Sequence, residues 1–166
     1  MTQPLVGCLM GSDSDWHVLE PGVKLLREFG IACDVQVLSA HRSPAQVRRY
    51  VGQAPRRGIK VFIAAAGGAA HLAGTVAAHT TLPVIGVPIN SKSLKGLDSL
   101  LSTVQMPKGV PVATVAIDNA ANAALLAVQI LAISNAALRQ KLLAYKRRLT
   151  QQTLQADRAL QARLPH

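Results

Sequence analysis

Lys60-Val61-Phe62-Ile63-Ala64-Ala65-Ala66-Gly67-Gly68-Ala69-Ala70-His71-Leu72-Ala73-Gly74 carries the pattern on which the fold turns. Lys60–Ala65 is an apolar run without alternation, as expected of a strand covered on both faces. From Ala64 to Gly74 there is no charged side chain and, His71 and Leu72 aside, nothing larger than a methyl group. Such a segment gains little from side-chain packing, so its smallness has another cause. Either a ligand lies against its backbone, where a Cβ would collide, or the strand turns tightly into a helix inside a close-packed core.

Four similar runs flank it: Leu5–Met10, Cys33–Leu38, Val84–Pro88 and Val112–Ile117. Helical stretches lie between and after them, at 14–29, 44–55, 70–79 and 120–134, with Gly30 and Gly58 where helices should stop. A repeated strand–helix order implies a parallel sheet, right-handed crossovers and helices on both faces. The expected fold is therefore α/β, a three-layer αβα sandwich on a five-stranded parallel sheet, in a single domain over 1–166. A long final helix at about 136–164 carries Leu138, Leu142, Leu143, Tyr145, Leu149 and Leu154. Either some of its apolar stripe packs on a neighbouring subunit, or the helix folds back on its own domain.

Composition limits the function. Apolar residues make up 49% of the 166 and charged residues 16%, so the chain can bury a core without staples. Aromatics are only 3%, which leaves Ala, Val, Leu and Ile to build that core and favours close-packed helices. No apolar run is long enough to span a bilayer, and Met1–Pro4 shows no basic segment ahead of an apolar one. Cys8 and Cys33 fit no metal spacing and read as buried free thiols, consistent with a cytoplasmic location. The formal charge of +10 suggests nucleic acid, but residues 139–166 alone hold seven basic residues and one acidic. With no aromatic interleaving and no nucleic-acid motif, that tail reads as a solvated basic helix, and no nucleic-acid or membrane partner is expected.

In an open parallel sheet, ligands bind beyond the carboxyl ends of the strands. Three strand-end loops are unusual. Met10-Gly11-Ser12-Asp13-Ser14-Asp15-Trp16 brings hydroxyls to a helix start, where Ser12 or Ser14 can cap and exposed N–H groups favour an anion; Asp15 suits sugar hydroxyls better. In Ser39-Ala40-His41-Arg42-Ser43-Pro44, Ser43 and Pro44 look like an N-cap and first helical residue, which puts His41 and Arg42 at the rim. Arg42 offers a planar fork for phosphate or carboxylate, and His41 exchanges protons near neutral pH. The third loop is the small-residue segment, with Gly67 and Gly68 open to close approach and His71 in the first turn of the next helix. His17 and His79 read as surface or internally bonded residues, and His166 is terminal. No cluster has metal-ligand spacing, and neither a P-loop nor a GxGxxG is present. A phosphoacceptor receiver would need an aspartate where Ala64-Ala65-Ala66 stands, and a flavin carrier would need stacking aromatics beyond the lone Trp16.

Taken together and in order, these loops resemble the N5-carboxyaminoimidazole ribonucleotide mutase family of purine biosynthesis. Leu82–Pro88, Asp98–Pro107 and Asn122–Ala127 extend the resemblance, which covers about residues 5–135. It implies a flavodoxin-like sandwich, a homo-octamer with active sites where subunits meet, and a reaction without metal or organic cofactor. The family chemistry moves a carboxylate from the exocyclic nitrogen to the ring carbon of an aminoimidazole ribonucleotide. The resemblance makes His41 the general acid/base, assigns Ser12, Ser14 and Arg42 to the phosphate, and gives Asp15 the ribose hydroxyls. Ser39, Ala40, Ala66, Gly67, Ala69, His71 and Leu72 would line the base and CO2 pocket. Ala73 departs from a proline common after His-Leu, and the loop near Asp118-Asn119 is shorter than in some members. A carboxylase of the same superfamily, using dissolved CO2 directly, is the nearest alternative.

Overall fold

The computed structural model describes residues 3–164, so Met1, Thr2, Pro165 and His166 lie outside the described residues. Five strands form one sheet: β1 (Val6–Met10), β2 (Cys33–Val37), β3 (Val61–Gly67), β4 (Val84–Ile89) and β5 (Ala113–Thr114). All pair in parallel, in the order β2-β1-β3-β4-β5. The helices are α1 (Trp16–Glu28), α2 (Pro44–Gln53), α3 (Leu72–Ala77), α4 (Leu97–Val104), α5 (Ala120–Ala132) and α6 (Ala136–Gln161). This is the three-layer sandwich expected from the strand–helix repeat, in the flavodoxin-like strand order that the resemblance implies.

The absence of alternation in the strands has the anticipated cause. Along β3, Val61, Ile63 and Ala65 enter one core with Leu19, Val23, Ala123 and Ala127 of α1 and α5. Phe62, Ala64 and Ala66 face the other way, into a core with Val47, Val51, Leu72 and Val76 of α2 and α3. Successive strand residues point to opposite faces, and both faces are covered. Gly30 and Gly58 end helical segments with φ of 79° and 89°, the left-handed conformation that stops a helix.

Four expectations need correction. β2 is an edge strand, half-buried along its length rather than covered, which accounts for the polar Asp34 and Gln36. Cys33 is consequently only partly buried, while Cys8 is fully so. β5 shrinks from Val112–Ile117 to two residues, although Val115 and Asp118 still donate to Gly86 and Pro88 of β4. Helix α4 lies in a stretch that the apolar pattern leaves unassigned.

The basic final helix begins on its own domain and then leaves it. Leu138 is buried, and Tyr145 packs against Phe29 with ring centroids 5.8 Å apart. Past Tyr145 the leucines are exposed, Leu149, Leu154 and Leu160 among them. The first part of the helix therefore folds back on its own domain, as one of the two alternatives has it. Among the described residues no helix is long and apolar enough to cross a membrane.

Candidate active site

The chain runs from β1 outward to β2 on one side and to β3 on the other, so the loops after β1 and β3 diverge and leave a crevice between them. Three loops build the site there. After β1, Ser12 starts a short 3-10 turn over Asp13–Asp15 and closes a capping box: its N–H donates to Asp15 Oδ2 at 3.1 Å, while its Oγ accepts from Ser14 N–H at 3.4 Å. Burial pushes the Asp15 carboxyl above its usual range, opposed by the Ser12 N–H, the Ser14 hydroxyl and the charges of His17 and Arg42.

After β2, Arg42 bridges two loops. Its Nη2 donates to the Gly11 carbonyl at 2.8 Å, and its backbone N–H donates to Ser39 Oγ at 3.2 Å. Among the described residues no carboxylate forms a salt bridge with it, so its remaining donors stay available to an anion. Ser43 and Pro44 take the N-cap and first positions of α2 as expected, but the Ser43 side chain makes no capping hydrogen bond. Its Oγ accepts from the Ser39 N–H at 3.0 Å and donates to the Ser39 carbonyl at 3.1 Å, so it cinches the loop instead.

After β3, Gly68 takes a φ of 62° and two tight turns follow, Ala70 N–H to Gly68 O and His71 N–H to Ala69 O, each 2.8 Å. They deliver His71 to the cap position of α3, one residue ahead of its first turn. There His71 Nδ1 lies 2.8 Å from His41 Nε2, with the rings edge to face at 80°. One of these nitrogens donates and the other accepts, so a single N–H joins the two loops.

These loops enclose a cleft of about 440 Å³. Ser12, Asp15, Ser39, Ala40, His41, Arg42, Ala66, Gly67, Ala69, His71 and Leu72 all line it. Ser14 is not among the lining residues, but its hydroxyl donates to Ser12 Oγ at 3.0 Å, at the cleft's edge on the same 3-10 turn. The sequence reading missed the fourth wall, Ile89 at the end of β4 with Asn90 and Ser91 after it. The strand-end rule finds them once it is extended from the first three strands to the fourth. Asn90 is held by Asp118, which takes its N–H at 2.8 Å, and Ser91 donates to Asp98 Oδ1 at 2.6 Å. Outside the cleft, His17 Nδ1–H donates to the Ser14 carbonyl at 2.7 Å. Among the described residues no group of three or more His, Cys, Asp or Glu gathers as a metal site.

The model of the family described as AIR carboxylase matches residues 5–152 of the chain. The chain belongs to the AIR carboxylase family. It is 58% identical over 143 residues to the N5-carboxyaminoimidazole ribonucleotide mutase of Pyrococcus horikoshii, covering 86% of this chain and 81% of that one. With the mutase of that name from Mycobacterium leprae it shares 55% over 159 residues, 96% of this chain and 93% of its relative. A phosphoribosylaminoimidazole carboxylase of Candida albicans is 58% identical over 128 residues, which are 77% of this chain but 22% of the relative. The crystal structure of Treponema denticola PurE superposes with a TM-score of 0.87 at 30% identity, over 95% of this chain and 98% of that one. That structure thus shares the sandwich described above over nearly the full length of this chain.

Proposed function

We propose that this enzyme converts N5-carboxyaminoimidazole ribonucleotide into 4-carboxyaminoimidazole ribonucleotide, with His41 as general acid and base. The observation that carries the reading is the position of His41: its imidazole lines a cleft whose wall after β3 is backbone and methyl groups, and it hydrogen-bonds to His71. The likeness to two mutases over most of their length supports the same substrate. The carboxylase relative is a much longer protein, so its name describes more than this domain.

The residues suggest a sequence of steps. Ser12, Ser14 and Arg42 hold the phosphate, and Asp15 accepts from ribose hydroxyls. The imidazole ring lies against Ala66, Gly67 and Ala69, where no side chain obstructs a planar group. The carbamate C–N bond breaks as His41 delivers a proton to the exocyclic nitrogen, giving the amine and CO2. The electron-rich ring carbon attacks CO2, and His41 takes the ring proton to restore aromaticity. The proton it gave is thereby recovered and no net proton is consumed. A small, dry space keeps CO2 beside the ring long enough for recapture. The hydrogen bond to His71 fixes the ring of His41 and its tautomer before substrate arrives.

A cytoplasmic homo-octamer completes this proposal. Free Cys8 and Cys33 agree with a reducing compartment. The bare Leu97, Leu101 and Val104 on one face of α4, close to the cleft, and the exposed leucines of α6 agree with subunit contacts. Light scattering of the purified protein at eight times the 17.5 kDa chain mass is the expected result. For the chemistry, His41→Asn is expected to lower kcat by about 10² to 10⁴-fold while leaving the far-UV spectrum and nucleotide binding unchanged. A variant with the wild-type rate removes His41 from the mechanism. Turnover of aminoimidazole ribonucleotide that requires added bicarbonate, with none of the carbamate, makes the protein a direct carboxylase.

A further inference from the structure

One chain of hydrogen bonds behind the cleft ties two of its walls together. Ser99, in the first turn of α4, is fully buried, and its Oγ accepts the Gly68 N–H at 2.8 Å. Gly68 is where β3 leaves the sheet in a left-handed conformation, so the orientation of its peptide decides how Gly67, Ala69 and Ala70 present their backbone. The Ser99 N–H donates to Asp98 Oδ1 at 2.9 Å, and the same oxygen accepts the Ser91 hydroxyl at 2.6 Å. Ser91 belongs to the neighbouring wall, after β4, whose last residue Ile89 pairs with Gly67. Two adjacent residues at one helix start therefore reach both walls.

Packing alone gives no reason for a hydroxyl at position 99. A buried polar group costs stability unless bonded, and an alanine would fill much the same volume. The comparison with Thr103, the other buried polar residue of α4, is instructive. Thr103 returns its hydroxyl to its own helix, donating to the Ser99 carbonyl at 2.7 Å. Ser99 instead accepts from a peptide on another element, the one peptide whose direction shapes the site.

We infer that Ser99, seated by Asp98, is a positioning residue that fixes the Gly68 peptide and keeps the small-residue wall closed against the Asn90–Ser91 wall, so that CO2 is confined until the ring recaptures it. This rests on the mutase reading above. Without the hydroxyl, the Gly68 N–H loses its partner and the peptide is free to rotate. The wall then loosens, and some turnovers end at the first step: the carbamate takes up a proton, its C–N bond breaks, and aminoimidazole ribonucleotide and CO2 leave separately.

The test measures how consumed substrate divides between the two products. Wild type, Ser99→Ala and Asp98→Ala are given N5-carboxyaminoimidazole ribonucleotide, and carboxylated and decarboxylated nucleotides are quantified together, corrected for decay without enzyme. The expected result is a decarboxylated fraction at least fivefold above wild type for Ser99→Ala, and a smaller rise for Asp98→Ala. A partition equal to wild type in a folded variant overturns the role of Ser99 even if its rate falls, because a partly unfolded enzyme loses both products in proportion. Should Ser99→Ala prove insoluble, the partition of Asp98→Ala decides alone. A wild type that converts none of the carbamate overturns the mutase reading and this role with it, whereas a converting wild type with unchanged variants overturns only the role.

Discussion

A methyl group built onto Gly22 would sit 2.5 Å from the carbonyl oxygen of Ala120, whereas one built onto Gly67 would meet nothing nearer than Ile89 at 3.6 Å, and one on Gly68 nothing within 4 Å. Both regions are small, but for opposite reasons. Between α1 and α5 the space beside glycine is already occupied by protein backbone, and the same holds at Gly86, where a Cβ would lie 2.4 Å from the Thr103 methyl. At the end of β3 a Cβ on Gly67 would make only ordinary contact with Ile89 and one on Gly68 would meet open space, and both residues line the cleft. The sequence alone left ligand contact and tight packing as equal readings of Ala64–Gly74. The difference in free space separates them: packing demands glycine in the core and not at position 67.

Substitution at Gly22 is the most damaging change this comparison anticipates. Its Cβ would be driven into backbone, which cannot swing aside as a side chain does, so α1 and α5 must move apart along their contact. Gly22→Ala is expected to destabilise the protein by about 3 kcal/mol or more, read from urea or thermal unfolding. Any surviving folded fraction should turn over at the normal rate per active site. A stable Gly22→Ala would mean that the helices have slack, and the contrast with Gly67 would fail.

Gly67→Val comes next and should reverse the signature. The Cβ is tolerated and a β-branched residue suits a strand, so unfolding should scarcely shift. The γ-methyls occupy the surface where the ring is proposed to lie, and kcat/KM is expected to fall about 10²-fold, equivalent to about 2.7 kcal/mol. Steady-state kinetics beside a melting curve checks both halves. Unchanged kcat/KM would return this loop to a purely structural role.

What could be read from the sequence follows the same division between filled and open space. The sheet and four of its covering helices were legible because Leu5–Met10, Lys60–Ala65 and Val84–Pro88 are apolar on both faces, and because Gly30 and Gly58 mark stops. Helix α4 was not, because its pattern is inverted: Leu97, Leu101 and Val104 are exposed while Ser99 and Thr103 are buried. The three loops were legible from their chemistry and the strand-end rule. The His41–His71 contact was not, since it joins residues thirty apart on two loops whose approach only the sheet order sets. Ser91 and Ser99 were missed for a related reason: each is an ordinary serine until its partner is known.

The smallest effect is expected at Gly68, where space and backbone separate cleanly. No atom obstructs a Cβ there, so overpacking contributes nothing. The φ of 62° still penalises any residue with a Cβ, by about 1 to 2 kcal/mol for alanine. Asparagine tolerates this region better, because its short polar side chain bonds locally. Gly68→Asn should therefore cost less stability than Gly68→Ala despite its greater bulk, a ranking that steric crowding would reverse. Chemical denaturation of the two variants measures it. If asparagine proves the worse residue, the region beside Gly68 is filled in the assembled protein, and the room for a Cβ belongs to Gly67 alone.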